Sequence, residues 1–252
     1  KFVQDVNYPS SMLYAGVLDA AGRLYARPEL TAKAARVRDT IRKQSFDGSF
    51  FVDNALRKDG KLVITSNRTE VCQYFAFFFD VATPATHSNL WKTLATDFGP
   101  QRKTTKAFPE VHPANAFIGN QLRFELLSRN GRNQQILDEA IGYWLYMAER
   151  TGTLWEHDAP QASCNHGFAS HAAHVLLRDV LGLYRVDPVR KTVQLRFGDV
   201  KLDRCEGSVP TQQGPVALTW HKAGSELRYR LTKPADYRVS IENQSGLTPV
   251  AE

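Results

Sequence analysis

The densest group of chemically versatile side chains lies in a loop between two predicted helices, at residues 151–168. Trp155 and Glu156 are adjacent there, and Asn165 and His166 follow a short way along the chain. An aromatic face can stack on the apolar face of a sugar ring, and a carboxylate can activate water or protonate a leaving oxygen. These residue types on one loop indicate a carbohydrate site. The alternatives are a structural role for the Trp-Glu pair and a backbone-capping role for His166.

Two further polar groups precede predicted helices. The first contains Glu110 and His112, followed by Asn115, whose side chain could instead cap the next helix. The second contains Glu70, at a helix start, and Gln73 one turn later. Both groups could bind sugar hydroxyls at the mouth of the same site, with Glu110 as the best second carboxylate. The alternative for the second group is a helix cap with a favourably placed acidic residue.

The sequence disfavours a metal site, a disulfide framework, nucleotide-dependent chemistry and serine-hydrolase chemistry. His171 and His174 share a helix face, but no carboxylate accompanies them at ligand spacing, so we expect no metal. The three cysteines are far apart and form no C-x-x-C pair, which argues against a disulfide framework. No glycine-rich phosphate loop and no G-x-S-x-G motif is present, so nucleotide-dependent and serine-hydrolase chemistry are disfavoured. We therefore expect no cofactor.

Composition limits the classes of partner. The chain has 252 residues, 42% of them hydrophobic, and a net charge of +6. The basic residues are spread along the chain without a run of five or six like charges, which argues against nucleic acid binding. No stretch approaches the roughly 20 apolar residues that a membrane-spanning helix needs, so we predict no membrane span.

Helical periodicity dominates up to about residue 183 and positions these loops. Residues 50–66, between the second and third helices, are predicted to form a long loop or a short hairpin. Tyr8, before the first helix, could offer a further stacking platform. Paired helices with buried and half-exposed members are typical of part of an α/α toroid. The predicted helices cover 8–26, 28 to the turn at 47–48, 69–81, 88–98, 114–129, 133–149 and 166–183.

Beyond residue 185 the pattern changes to alternating apolar and polar positions. Such runs occur at 193–197, 216–220, 226–231 and 237–241. Short alternating segments bounded by Gly, Pro and Asp predict antiparallel strands with one solvent-facing side. We therefore predict a mainly α chain, with 1–185 forming part of an α/α barrel and 186–252 forming a small antiparallel β-sandwich.

The sequence TGTLWEHDAPQASCNHGFASH at 151–171, followed by RDVLGL at 178–183, resembles a known family. It is similar to the late barrel segment of α-L-rhamnosidase-like glycosidases, glycoside hydrolase family 78 of the six-hairpin glycosidase superfamily. In that family a Thr-rich turn leads to a Trp-Glu pair, and a Ser-x-Asn-His segment opens the next helix. The resemblance implies an (α/α)6 barrel followed by a C-terminal β-sandwich.

The same resemblance implies a function. Glu156 corresponds to the general base of an inverting hydrolysis, with His166, Asn165 and Trp155 holding the sugar. The substrate would be a terminal α-L-rhamnosyl residue of an oligo- or polysaccharide. The family's general acid lies in an acidic, Trp-containing motif upstream, and that motif has no match here. Either this chain lacks the first half of its barrel or its acid is unusual, and we expect the upstream half of the same barrel to lie outside this chain. A polymeric substrate would imply a periplasmic or extracellular location.

Other functions remain open from the residues alone. The fold would also suit another inverting glycosidase or a polysaccharide lyase. A lyase needs a base near a uronate C5 and a cation or Arg to neutralise the uronate carboxylate, and the predicted mouth loops offer few candidates besides Arg68. A non-catalytic carbohydrate-binding protein, or a fragment inactive by itself, is the third possibility.

Overall fold

A computed structural model describes residues 5–114, 117–159, 161 and 163–252, so Asn115 lies outside the described residues. Within these ranges the chain has eight α-helices and ten strands. It divides into two compact units, Lys1–Leu126 and Leu127–Glu252, which we call the N-terminal and C-terminal units. The domain boundary predicted at residue 185 is a different division and stays a prediction.

The N-terminal unit is mainly helical. The first helix begins where the Asn7 side chain accepts a hydrogen bond from the Ser10 N–H at 2.9 Å. The second begins at Pro28, whose missing N–H costs nothing at a first helical position. These two helices and the fourth confirm the predicted segments closely. The helices are α1 (Tyr8–Leu24), α2 (Pro28–Ser45), α3 (Glu70–Phe78), α4 (Ser88–Thr96), α5 (Arg102–Thr105) and the start of α6 (Phe117–Arg129).

Residues 50–66 contain a hairpin, the second of the two predicted alternatives. Strand β2 (Asn54–Lys58) pairs antiparallel with β3 (Lys61–Ile64) and with the short β1 (Val6–Asn7). Asp59 and Gly60 form the two-residue turn, with φ of 49° and 76°. Asp-Gly favours two successive positive φ angles, and the resulting turn suits the twist of paired strands. The hairpin places residue 53, directly before β2, beside the start of α3.

Helix α3 lies at the centre of the N-terminal core. Its Tyr74, Ala76 and Phe77 are buried together with Met12 of α1 and Phe51. This explains why the sequence of α3 is apolar on nearly every side. The helix ends at Phe78, earlier than the predicted residue 81, and Asp80 then adopts a positive φ of 60°.

The helices of the C-terminal unit differ from the prediction at one place. Helix α7 (Asn133–Thr151) matches the predicted sixth helix. The predicted helix at 166–183 consists instead of a 3₁₀ turn (Gly167–Ser170), α8 (His171–Val175) and a π-helical segment (Leu176–Leu181). Asp179, in the π segment, is buried, and its carboxylate accepts a hydrogen bond from the Ser128 hydroxyl at 2.6 Å. The wider turn accompanies this buried polar contact.

The C-terminal strands form two sheets that pack face to face. One sheet has β4 (Leu183–Asp187), β5 (Thr192–Phe197) and β9 (Arg238–Asn243) in the order β4-β5-β9. The other has the order β10-β8-β7-β6. Side chains from both sheets form one core, in which Leu195 and Phe197 meet Leu218 and Trp220. The strands of the second sheet are β6 (Arg204–Val209), β7 (Val216–Ala223), β8 (Glu226–Thr232) and β10 (Thr248–Ala251).

The sandwich is mixed rather than wholly antiparallel, which corrects the prediction. Strand β9 runs parallel to β5, and β10 runs parallel to β8, while the other neighbours are antiparallel. Alternating side chains show which face of a strand is buried, but not the direction of its neighbour. A helical part and a β-sandwich are therefore present, whereas the (α/α)6 barrel stays a prediction. No helix within the described ranges is long and apolar enough to cross a bilayer.

Candidate functional site

The loop that follows α7 holds Glu156 in a paired backbone. The Glu156 N–H donates to the Ser163 carbonyl at 2.9 Å, and the His166 N–H donates to the Leu154 carbonyl at 3.0 Å. The Thr153 hydroxyl adds a hydrogen bond to the carbonyl of residue 164. These bonds join the two halves of the loop. The backbone around Glu156 therefore lies beside the backbone of the Asn165-His166 pair, as the prediction of one site requires.

Glu156, Asn165 and His166 are all reachable from solvent. The Glu156 side chain is 36% exposed, Asn165 is exposed and His166 is half-buried. The His166 ring lies 5.2 Å from the ring of Phe168. A carboxylate, an amide and an imidazole on one held loop can bind hydroxyl groups and accept a proton from water.

His157 is a neighbour of Glu156 that sequence reasoning did not select. Its Nε2 lies 3.7 Å from Glu156 Oε1. Its Nδ1 is buried and has no hydrogen-bond partner among the described residues. A proton on Nδ1 would be a buried donor without an acceptor, so the geometry favours the tautomer that carries the proton on Nε2. That N–H then faces the Glu156 carboxylate.

Trp155 supports this loop from inside. It is only 4% exposed, and its Nε1–H donates to the Thr151 hydroxyl at 2.8 Å. The Tyr146 ring packs against it edge to face at 5.6 Å, and the Arg150 guanidinium lies 5.9 Å from its ring centre. The buried ring therefore does not offer the open stacking face expected from the sequence.

Tyr146 also fastens the far side of the loop. Its hydroxyl donates a hydrogen bond to the Asp158 carboxylate. Burial raises the pKa of the Tyr146 hydroxyl, and the bond to Asp158 raises it further. The phenol consequently stays protonated and keeps donating to Asp158. Glu156 thus lies between two anchored positions, Trp155 and Asp158.

In the N-terminal unit, the two other predicted groups come together. The Glu70 N–H donates to the His112 carbonyl at 2.8 Å, and the His112 N–H donates to the Arg68 carbonyl at 2.9 Å. Thr69 and His112 form a parallel bridge through these bonds. The segment before α3 and the segment around Glu110 are therefore neighbours, although about forty residues separate them in sequence.

These segments line a polar groove of about 580 Å³. Glu110 and His112 are both exposed there. No hydrogen bond from either side chain to another described residue is found, so both can meet a ligand. The groove is lined by Asn7, Asp53, Asn54, Ser66, Asn67, Arg68, Thr69, Pro109, Glu110, His112 and Pro113.

Asp53 also lines this groove, and sequence reasoning did not select it. Burial raises the pKa of its carboxyl, although the N–H and hydroxyl of Thr69 each donate to it at 3.0 Å and oppose the shift. The available signal was an acidic residue directly after the apolar run Phe50–Val52. The sequence of residues 50–66 fits a loop as well as a hairpin, so it does not indicate the β2 strand that gives Asp53 this position.

Glu70 and Gln73 lie in the interior rather than at the groove surface. Glu70 is 1% exposed and accepts hydrogen bonds from Arg102 at 2.7 Å, the Gly99 N–H at 3.0 Å and the Ala114 N–H at 3.1 Å. Gln73 is fully buried, and its side-chain amide exchanges two hydrogen bonds with the Phe51 backbone. Their polar atoms are engaged by this chain, so we leave both out of the sugar contacts proposed below.

The structure supports the alternative interpretation of this helix start. Thr69 caps α3 by accepting a hydrogen bond from the Cys72 N–H at 3.1 Å. Tyr8 is likewise buried, at 1% exposure, with its hydroxyl 3.3 Å from the Gln44 side-chain oxygen. It therefore offers no open stacking platform.

Comparison with solved structures shows what the fold of this chain is similar to. A crystal structure of a rhamnosidase of glycoside hydrolase family 78 from Bacillus sp. GL1 superposes with a TM-score of 0.81. The fold resembles part of a family 78 rhamnosidase. The match covers 98% of this chain at 19% sequence identity, and it spans 27% of the length of that relative.

The likeness concerns the fold alone, since the identity is low. A comparison with protein-family models gives no match, and no curated protein sequence matches. Within the described ranges, no group of three or more His, Cys, Asp or Glu side chains could hold a metal ion.

Proposed function

We propose that this chain is part of a glycoside hydrolase that releases a terminal α-L-rhamnosyl residue with inversion of configuration. The observation that carries the proposal is the accessible Glu156 carboxylate on a loop paired with Asn165 and His166. The family resemblance of this loop and the fold likeness to a rhamnosidase support the same reaction. A glycan substrate would place the enzyme in the periplasm or outside the cell.

In the proposed reaction, Glu156 accepts a proton from a water molecule. The water oxygen forms a bond to the anomeric carbon while the bond from that carbon to the leaving oxygen breaks. A general acid supplied from outside these residues protonates the leaving oxygen. Asn165 and His166 bind hydroxyl groups of the sugar. Trp155 acts through Glu156 by fixing its loop, and the His157 ring is a close neighbour of the carboxylate at 3.7 Å.

In this proposal the polar groove of the N-terminal unit is a sugar-binding surface considered by itself. Glu110 accepts hydrogen bonds from sugar hydroxyls, and the His112 imidazole can donate or accept them. Arg68 does not offer the free guanidinium that a lyase would need, because it pairs with Asp47 at 2.5 Å. The groove therefore favours hydrolysis of a neutral sugar over elimination from a uronate.

The first test replaces Glu156 by Gln in the full-length protein, with an aryl α-L-rhamnoside as substrate. Removing a general base typically costs between a hundredfold and ten-thousandfold in rate, so we expect kcat to fall by at least about a hundredfold. Glu226→Gln is a matched control because its side chain is 37% exposed and also contacts one basic residue. The control should retain the wild-type rate.

Other outcomes separate the alternatives. Turnover of Glu156→Gln within threefold of the control would exclude Glu156 as the base. Sugar binding without turnover by the unsubstituted full-length protein would indicate a non-catalytic carbohydrate-binding protein. An unsaturated, ultraviolet-absorbing product from a uronate polymer would indicate a lyase instead.

A further inference from the structure

A second groove, of about 530 Å³, adjoins the polar groove in the N-terminal unit. We call it the aromatic groove. Its apolar lining comes mainly from Phe46, Phe50 and Phe108 together with the imidazole of His87. Burial and the Arg42 charge lower the pKa of His87, so its ring is neutral at pH 7. The volume lies within the range of small-molecule sites.

The polar lining of the aromatic groove suits a neutral, hydroxyl-rich ligand. Asn89 supplies an amide, Glu110 supplies a carboxylate, and four Ser or Thr residues supply hydroxyl groups. No Lys or Arg is among the described residues that line it. A site for a phosphate, sulfate or uronate would need such a cation, because a buried or half-buried anion must be paired. Aromatic rings beside uncharged hydrogen-bonding groups match a sugar ring, which has apolar faces and a hydroxyl edge.

The wall of this groove is held in an uncommon conformation. Phe108 has a φ of 51°, in the left-handed region that bulky side chains rarely adopt. The Val111 N–H donates to the Phe108 carbonyl at 2.9 Å, and Arg102 donates to the same carbonyl at 2.9 Å. Arg102 is itself paired with buried Glu70. The interior ion pair thus fixes the turn that presents the Phe108 ring and the Glu110 carboxylate.

Glu110 lines both grooves, so this one turn separates them. We propose that the aromatic groove is a subsite for a neutral sugar of an oligosaccharide whose adjoining residue lies in the polar groove. This inference rests on the proposed function and extends it, because it assigns the protein an uncharged, extended oligosaccharide rather than a small glycoside. Glu110 is then shared by two successive sugar residues.

The test compares two probes in the full-length protein carrying Glu156→Gln, which binds without turnover. The probes are an aryl α-L-rhamnoside and a neutral tetrasaccharide ending in α-L-rhamnose, and calorimetry gives both dissociation constants. Ser49 is exposed and lines the groove, so Ser49→Trp fills the groove from its rim. We expect the preference for the tetrasaccharide to fall about tenfold, the size of about one lost aromatic contact.

Two further variants keep the result interpretable. Phe108→Leu removes the ring while leaving an apolar side chain, and it should lower the same preference by a similar factor. Thr96→Trp, at the far end of α4, adds an equally large exposed ring outside the grooves and should leave the preference unchanged.

The outcomes distinguish a failure of the aromatic groove as a sugar subsite from a failure of the proposed glycoside hydrolase function. If both probes bind and Ser49→Trp and Phe108→Leu leave their affinity ratio unchanged, the aromatic groove is not a sugar subsite. The same result would follow if another segment of the full-length protein filled the groove. If neither probe binds the protein, the proposed function fails and this inference fails with it.

Discussion

Two glutamates of this chain show how surroundings decide the role of one residue type. Glu70 is 1% exposed and accepts hydrogen bonds from a guanidinium and two backbone N–H groups. Glu156 is 36% exposed, and its nearest basic group is an imidazole at 3.7 Å. A proton acceptor in a reaction needs room for water and substrate. Glu70 therefore acts in the structure of the N-terminal unit, whereas the Glu156 carboxylate is accessible, as its proposed role as a base requires.

The buried role of Glu70 makes a stability prediction. In Glu70→Gln, Arg102 keeps its charge in the interior but loses its anionic partner, and such losses cost about 3 kcal/mol or more. Urea unfolding should show a destabilisation of that order. Glu226→Gln removes one member of an exposed pair and should cost less than about 1 kcal/mol. Equal effects of the two substitutions would contradict the structural role of Glu70.

Asp53 makes a prediction about pH. Burial raises the pKa of its carboxyl in the folded protein, so the folded state holds this proton more tightly than the unfolded chain does. Its contribution to stability is present below the unfolded pKa of about 3.9 and is lost as pH rises through the higher folded pKa. Asp53→Asn keeps an oxygen that can accept from Thr69. As the pH rises from 3.5 to 6.5, the free energy of unfolding of the variant should therefore increase relative to that of wild type.

Asp187 provides the control of opposite sign. The Arg190 backbone N–H, followed by the Arg190 and Arg185 side chains, lowers the pKa of its carboxyl. This contribution is present above the unfolded pKa and is lost as pH falls through the lower folded pKa. Asp187→Asn should therefore lose stability relative to wild type over the same rise in pH. If both variants changed in the same direction, the burial of Asp53 would not be the cause.

At the scale of elements, the loop at 152–166 places a buried side chain, Trp155, directly before the proposed base, Glu156. Trp155 is inside the unit and fixes the backbone that carries Glu156. In the proposed reaction, a displacement of Glu156 by about 1 Å lowers the rate without removing sugar contacts. Substitution of Trp155 should therefore lower kcat, whereas loss of a sugar-stacking ring would raise KM.

Trp155→Phe tests this difference in the full-length protein. We expect a loss of about 1–3 kcal/mol of stability, because a buried hydrogen bond and part of the ring volume disappear. We also expect kcat to fall about tenfold with KM within twofold of wild type. Trp91→Phe, in α4, should reduce stability while leaving kcat unchanged. A large rise in KM with unchanged kcat for Trp155→Phe would instead indicate that its ring stacks on the sugar.

Elements with local signals could be predicted from the sequence, and those that depend on distant partners could not. Pro28 marked the start of α2, and the alternating apolar positions marked β5 and β7. Strand β6 was missed because the core-facing positions of its sequence, RCEGSV, carry only Cys205, Gly207 and Val209, a weak apolar signal. The π segment contains Asp179, whose hydrogen-bond partner Ser128 is far away in sequence, and nothing within the segment itself indicates this contact. The parallel neighbours of β5 and β8 have no signature within one strand.

For the candidate site, too, local features could be predicted from the sequence, and features that depend on distant partners could not. Residue types and their spacing identified the loop around Glu156 and the exposed pair Glu110 and His112. The burial of Glu70 could not be foreseen, because its partner Arg102 contacts it only in the folded chain. The same holds for Trp155 and the Tyr146 ring that packs against it. The aromatic groove was missed for a similar reason, since three separate segments build it.

At the scale of the whole molecule, the chain spans 27% of the rhamnosidase whose fold it resembles. In the proposed reaction the base lies in this chain and the acid lies outside it. Such a division predicts that the two chemical roles can be separated experimentally. Removing the base should leave an enzyme that still protonates the leaving oxygen and can use another nucleophile.

Chemical rescue of Glu156→Ala is the most direct test of the central claim that Glu156 is the general base. The full-length variant should hydrolyse an activated aryl α-L-rhamnoside at least about a hundredfold more slowly than wild type. Added azide needs no base, so it should restore release of the aryl group and give a rhamnosyl azide of inverted anomeric configuration, observed by NMR. Hydrolysis by Glu156→Ala near the wild-type rate, or an azide product of retained configuration, would contradict this account.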